Sequence, residues 1–278
     1  MSIQSGVDPS PGYFARLVLV VSTWAAQLTR PPSQMHRAAG ARRFSRNALT
    51  TAVIAAILIV ALMIFVDARE IALMPPRGTT GLWPFRILSD FGKDSYVLLM
   101  MTGSLIAAVL IAPAVHGSAR RRLLAVGLRL QFVWLALAVP LAVGEFVKWT
   151  VGRGRPFVGG HADPFNFVPF AGTEAHASFP SAHCITAFAL AFAVAALWPR
   201  TRGLMVAYAL AIGFTRLVLL AHHPSDVVAG AAIGMIGAMY VRYWFAARAL
   251  GFAIDEAGII SPVREGPLKR VAAKPSAS

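Results

Sequence analysis

His183, His222 and Asp226 are able to move a phosphoryl group or a proton, and they occur among the bases Lys148, Arg153, Arg155 and Arg216. Imidazole changes charge near neutral pH and so serves as nucleophile, acid or base. Guanidinium groups meet phosphate oxygens with a fixed fork of donors. His222 and Asp226 are four residues apart, a spacing that puts both on one helix face. Asp226 would then accept a hydrogen bond from one ring nitrogen of His222, fix its tautomer and leave the other nitrogen free to attack. His183 would protonate the leaving oxygen and then take a proton from water. The four bases would stabilise charge on the transferring group. Pro180-Ser181 fits the opening of a helix. The N–H groups of Ser181, Ala182 and His183 would point outward there as anion donors, with the Ser181 hydroxyl as a further one. Such a set performs hydrolysis through a phosphohistidine without an obligatory metal or other cofactor.

These residues sit at the ends of apolar stretches. Hydrophobic residues make up 57% of the 278 and charged residues only 14%, which points to several membrane helices in one bundle. One cysteine excludes an internal disulfide and a cysteine-built metal site. Six apolar runs cover roughly 49–66, 96–115, 123–147, 182–197, 204–220 and 227–245. An earlier run, 13–29, carries Arg16 and Gln27 and is followed by Arg30 and two prolines; it reads as an interfacial helix. The formal charge of +14 would suggest nucleic acid in a soluble protein, but here it gathers in alternate connections. Arg37, Arg42, Arg43 and Arg46 precede the first span, Arg120, Arg121 and Arg122 the third, Arg200 and Arg202 the fifth, and Arg264, Lys269, Arg270 and Lys274 lie in the tail. With six spans all of these fall on one side, the cytoplasmic one, together with both termini. The histidines then face the other side, and no nucleic-acid partner is expected.

The outer connections are turn-rich. The loop 150–180 has phenylalanines at 157, 165, 167 and 170, which suit either a self-packed lid or an apolar mouth for a lipid tail. Glu145 lies one turn before Lys148 and pairs with it most simply. His161, His176, Asp163 and Glu174 read as solvated loop residues, and His223 as a neighbour of the catalyst. Gly213, Gly230, Gly234 and Gly237 suit close helix packing, and the G-x-x-x-G match at 230–234 would also suit a homodimer. The stretch after Phe252 reads as a polar, partly disordered tail.

Three segments carry a family resemblance. KWTVGRGRP at 148–156 resembles the first motif of the type 2 phosphatidic acid phosphatase (PAP2) superfamily, K-x6-R-P; FPSAH at 179–183 resembles the second, P-S-G-H; TRLVLLAHHPSD at 215–226 resembles the third, S-R-x5-H-x3-D. The resemblance implies an all-α, integral-membrane six-helix bundle of the PAP2/acid phosphatase type, here with an N-terminal interfacial helix. It divides the chain into a cytoplasmic segment 1–47, a six-span catalytic domain 48–248 and a cytoplasmic tail 249–278. It implies that Lys148, Arg155, Arg216, Ser181 and the adjacent amides, that of Ala182 included, bind phosphate. His183 would be the general acid, His222 the nucleophile and Asp226 its orienting partner; Arg153, outside the minimal motif, is a further neighbour of the phosphate. Ala182 replaces the motif glycine and fits if the position is helical, while Thr215 replaces serine and keeps a hydroxyl. The implied enzyme is a lipid phosphate phosphatase of the bacterial inner membrane acting on the periplasmic face. Phosphatidylglycerol phosphate, undecaprenyl diphosphate, lipid A, phosphatidic acid and sphingoid phosphates are the implied substrates.

Two other functions use the same residues. His183, His222, His223 and Asp226 could ligate zinc or iron in a metal-dependent membrane hydrolase, although four nearby bases would repel a cation. A transporter or binding protein for an anionic lipid would use the bases alone.

Overall fold

A computed structural model of the chain describes residues 12–76, 78–156, 158–159 and 163–263. Among them the helices are α1 (Tyr13–Thr29), α2 (Arg37–Phe65), α3 (Asp67–Leu73), α4 (Trp83–Asp90), α5 (Asp94–Ile111), α6 (Gly117–Val151), α7 (Ala182–Leu197), α8 (Arg202–Val218) and α9 (Pro224–Ala247). Five helical segments, Arg37–Phe65, Thr80–Ile111, Gly117–Val151, Pro199–Val218 and Pro224–Ala247, are long and apolar enough to cross a membrane. The fourth expected span is α7, an apolar helix of 16 residues, about 24 Å of rise. The fold is all-α, with several long apolar membrane-spanning helices.

The helices outrun the apolar runs because a helix needs backbone hydrogen bonds, not hydrophobicity, to continue. α6 extends through Arg120–Arg122 at one end and Lys148 at the other, and stops where Gly152 turns left-handed at φ 56°. A side chain at Gly152 would also meet the Val168 carbonyl. α2 starts at Arg37, so the boundary expected between residues 47 and 48 falls inside a continuous helix.

α9 occupies the centre, against α2, α6 and α7. Its small residues permit this: a Cβ at Gly230 would lie 2.5 Å from the Ser181 carbonyl oxygen, one at Gly234 2.5 Å from that of Ile185, and one at Gly237 2.5 Å from Pro140 of α6. The G-x-x-x-G face is therefore consumed inside the bundle and offers nothing to a homodimer. Other helices keep their apolar faces outward: Leu49, Val53, Ile57 and Ile64 of α2, Leu99 and Ile106 of α5, and Leu204 and Leu210 of α8 are all exposed, as lipid-facing side chains are.

The stretch after Phe252 is not simply a polar tail. β1 (Phe252–Ile254) pairs antiparallel with β2 (Ile260–Pro262). Phe252 and Ile254 are buried, and the Phe252 ring lies 4.8 Å from that of Phe132 on α6. Alternating apolar residues in a short turn-containing segment were the signal for this hairpin. A cleft of about 840 Å³ opens between α6, the turn Pro199–Thr201 and the hairpin. α1 crosses this same end, with the Tyr13 hydroxyl donating to the Leu110 carbonyl and Trp24 packed on Gly127. Residues 1–11, Phe157, His161 and the tail bases Arg264, Lys269, Arg270 and Lys274 lie outside the described residues.

Candidate active site

The opposite end of the bundle gathers the end of α6, the loop that follows it, the start of α7, the end of α8 and the start of α9. His183 is the second residue of α7. Arg216, His222, Lys93 and Arg155 are the charged or ionisable groups that act on its ring. Lys148 and Arg155 line a cleft of about 320 Å³ with Trp149, Thr173, Glu174 and His176. Lys148 pairs with Glu145, as its spacing predicts. Arg155 pairs at 2.8 Å with Glu174, whose side chain is 93% exposed, as a solvated loop residue is. Arg216 donates to the Ser89 hydroxyl of α4 at 2.5 Å.

Asp226 does not hold His222 in the expected way. α9 begins only at Pro224, so His222 precedes the helix and the two residues do not share a helical face. The His222 Nδ1 lies 3.8 Å from the Asp226 carboxylate, beyond hydrogen-bond reach. Nδ1 lies 2.7 Å from the carbonyl oxygen of Ser178. A carbonyl only accepts, so Nδ1 carries the proton and Nε2 keeps its lone pair. Asp226, fully buried, instead accepts from Arg153 Nη1 at 2.5 Å, the Ser178 hydroxyl at 2.6 Å and the His223 N–H at 2.9 Å.

Arg153 also has a different place from the one expected. It is 1% exposed, and its guanidinium donates to the Pro164 carbonyl, Ser225 Oγ, Asp226 and Asp67. Those bonds use its five N–H donors, so none is left for a phosphate. The Ser181 N–H is likewise taken, by the Asp226 carbonyl at 3.1 Å, so of the three amides expected to face an anion only those of Ala182 and His183 keep that role. Ser181 Oγ is fully buried beside Cys184. Ala182 is helical and has no positive φ, so the methyl group that replaces the motif glycine is unstrained. Thr215 Oγ1 bonds back to the Ile212 carbonyl within α8.

Burial pushes the His222 imidazole down to about 4, with Arg216 and Arg155 acting the same way against the pull of Asp226. Burial also lowers His223, and Arg153 adds to this against Asp226 and Asp67. Both rings are thus neutral at neutral pH, the state a histidine nucleophile requires. Among the described residues no three His, Cys, Asp or Glu side chains come together as a metal-ligand group. Sequence reasoning missed Asp67, Ser178, Ser225, Ser89 and Lys93. Asp67 carried a usable signal, because it is an acid directly after the last apolar residue of the first span.

Residues 130–250, which hold nearly all of this constellation, match the model of the PAP2 superfamily. That stretch belongs to the PAP2 superfamily. Among curated proteins, the chain is 38% identical over 116 residues to a lipid A 1-phosphatase of Rhizobium johnstonii, covering 42% of the chain and 48% of the relative. It is 42% identical over 92 residues to the lipid A 1-phosphatase of Rhizobium etli, covering 33% and 40%. It is 29% identical over 173 residues to the bacitracin transport permease protein BcrC of Bacillus licheniformis, covering 58% and 78%. The chain thus spans less than half the length of the two lipid A 1-phosphatases that it matches. No solved structure gives a significant match.

Proposed function

We propose that this PAP2 protein hydrolyses a phosphate ester or diphosphate on a membrane lipid. His222 Nε2 attacks phosphorus and the bond to the leaving oxygen breaks, while His183 protonates that oxygen. Water then attacks the phosphohistidine, and His183 takes its proton. Lys148, Arg155, Arg216 and the amides of Ala182 and His183 hold the phosphoryl oxygens, while Ser181, its N–H taken and its hydroxyl buried, opens the helix that presents those amides. Asp226 acts on His222 through charge and through Ser178. The single observation that carries the reading is the convergence of Arg155 from the loop after α6, Arg216 from the end of α8 and His222 from just before α9 on His183 at the start of α7. Bases alone would suit binding, but a neutral, oriented imidazole among them suits attack.

The relatives named for lipid A make a 1-phosphorylated glycolipid the first substrate to test, with undecaprenyl diphosphate and phosphatidylglycerol phosphate beside it. The catalytic unit is the set of six spans starting at α2, placed in a bacterial inner membrane with the histidines toward the periplasm and α1 along the cytoplasmic interface. Purified protein in nanodiscs should release phosphate from at least one of these lipids, with or without chelator. His222→Ala should lose about 10³-fold or more of that turnover. Turnover that survives His222→Ala overturns the mechanism, and loss on chelation restored by one metal favours the metal-dependent reading.

A further inference from the structure

Asp67 lies in α3, outside residues 130–250, yet it is fully buried against them. Its Oδ2 accepts from Arg153 Nη2 at 2.8 Å and from the Ser225 hydroxyl at 2.5 Å, and its Oδ1 accepts the Ser225 N–H at 3.1 Å. From Arg153 the chain of bonds passes to Asp226 at 2.5 Å, from Asp226 to the Ser178 hydroxyl at 2.6 Å, and from the Ser178 carbonyl to His222 Nδ1 at 2.7 Å. The Ser178 N–H closes the loop by donating to the Arg153 carbonyl at 3.0 Å. We propose that Asp67 is a positioning residue for His222: acting through Arg153 and Asp226, it holds the Ser178 carbonyl where it keeps the proton on Nδ1 and the lone pair on Nε2. The proposal rests on His222 as nucleophile and extends the functional unit to a segment before the matched domain.

The physical argument is one of competition for a single guanidinium. Arg153 stands between two buried carboxylates, one on each side of its fork. Each carboxylate accepts one N–H, Asp67 from Nη2 and Asp226 from Nη1, so the two hold opposite arms of the fork and neither can draw the whole group. Without the charge of Asp67, Arg153 would turn toward Asp226, which would then give up part of its bond to Ser178. Ser225, at the start of α9, would lose the acceptor of its N–H and hydroxyl together. Glu70, one turn further along α3, does not take over. It is buried, and burial followed by Asp67 and Asp226 raises its carboxyl to about 8, so it is neutral at neutral pH.

The test uses the full chain in nanodiscs with ¹⁵N-labelled histidine, with His222→Gln to assign the resonance. Wild type should show the Nδ1-protonated tautomer. Asp67→Asn keeps the shape but removes the charge, and Ser178→Ala cuts the link between Asp226 and the carbonyl segment. Both should show a tautomer mixture at His222, and kcat should fall about 10- to 100-fold with KM within about 3-fold. Ser178→Ala decides alone if Asp67→Asn does not fold. An unchanged tautomer overturns the proposal whatever the activity, and so does a changed tautomer with kcat intact. If wild type releases no phosphate from any lipid, the hydrolytic reading fails, while the tautomer shift still reports on the positioning network.

Discussion

At the residue scale, the behaviour of His222 follows from what surrounds it. A histidine with a carboxylate four residues away would ordinarily gain basicity, but the carboxylate here is committed elsewhere and the ring is 4% exposed. Burial dominates, so the imidazole titrates near 4 instead of 6.5. A base depressed in the folded state favours folding above its unfolded pKa. The contribution of His222 to stability is therefore complete above about pH 6.5 and is lost as the pH falls toward 4. Histidine-selective NMR titration of the ligand-free protein, assigned with His222→Gln, should show this ring neutral down to about pH 5. A midpoint near 6.5 would mean that water reaches the ring. Removing one of the flanking cations, as in Arg155→Gln, should move the midpoint upward.

At the element scale, the close approach of α9 to α7 sets the geometry of the site. The Gly230 position lies under Ser181, two residues before His183. In Gly230→Ala the new methyl would press on the Ser181 carbonyl and on Cys184 Cβ at 2.9 Å, and neither is the end of a flexible chain. Overpacking of this kind costs about 1–3 kcal/mol. Thermal unfolding should register that loss, and turnover should fall with it because α7 carries His183 while α9 carries Asp226. Gly103→Ala on α5, where a Cβ meets nothing within 4 Å, should be neutral or slightly stabilising. The helices themselves were legible from hydropathy, since lipid and core both demand long apolar runs. Their ends were less so, because α6 continues through charged flanks that hydropathy assigns to loops. The short hairpin was obscured by the polar residues around it. The histidines and the bases Arg155 and Arg216 were readable from type and position. What spacing could not reveal was which donor meets which acceptor. The bonds of Arg153 span 72, 73 and 86 residues along the chain, and only the assembled bundle brings those partners together.

At the scale of the whole molecule, charge and aromatic residues divide the two ends. Arg37, Arg42, Arg43, Arg120, Arg121, Arg122, Arg200 and Arg202 stand at the end away from the histidines. The exposed rings of Phe146, Trp149, Phe165 and Phe170 stand at the histidine end, as side chains at a membrane–water interface do. The bias of basic residues predicts that the arginine end is cytoplasmic. The chain allows a direct test because its single cysteine, Cys184, is fully buried and should stay silent toward a thiol reagent. Phe165→Cys and Arg200→Cys each add one exposed thiol at opposite ends. On intact spheroplasts, a membrane-impermeant maleimide should label the first variant, and the second only after the membrane is opened. The reverse pattern would put the histidines on the cytoplasmic side, and the phosphate they act on would then have to come from the inner leaflet.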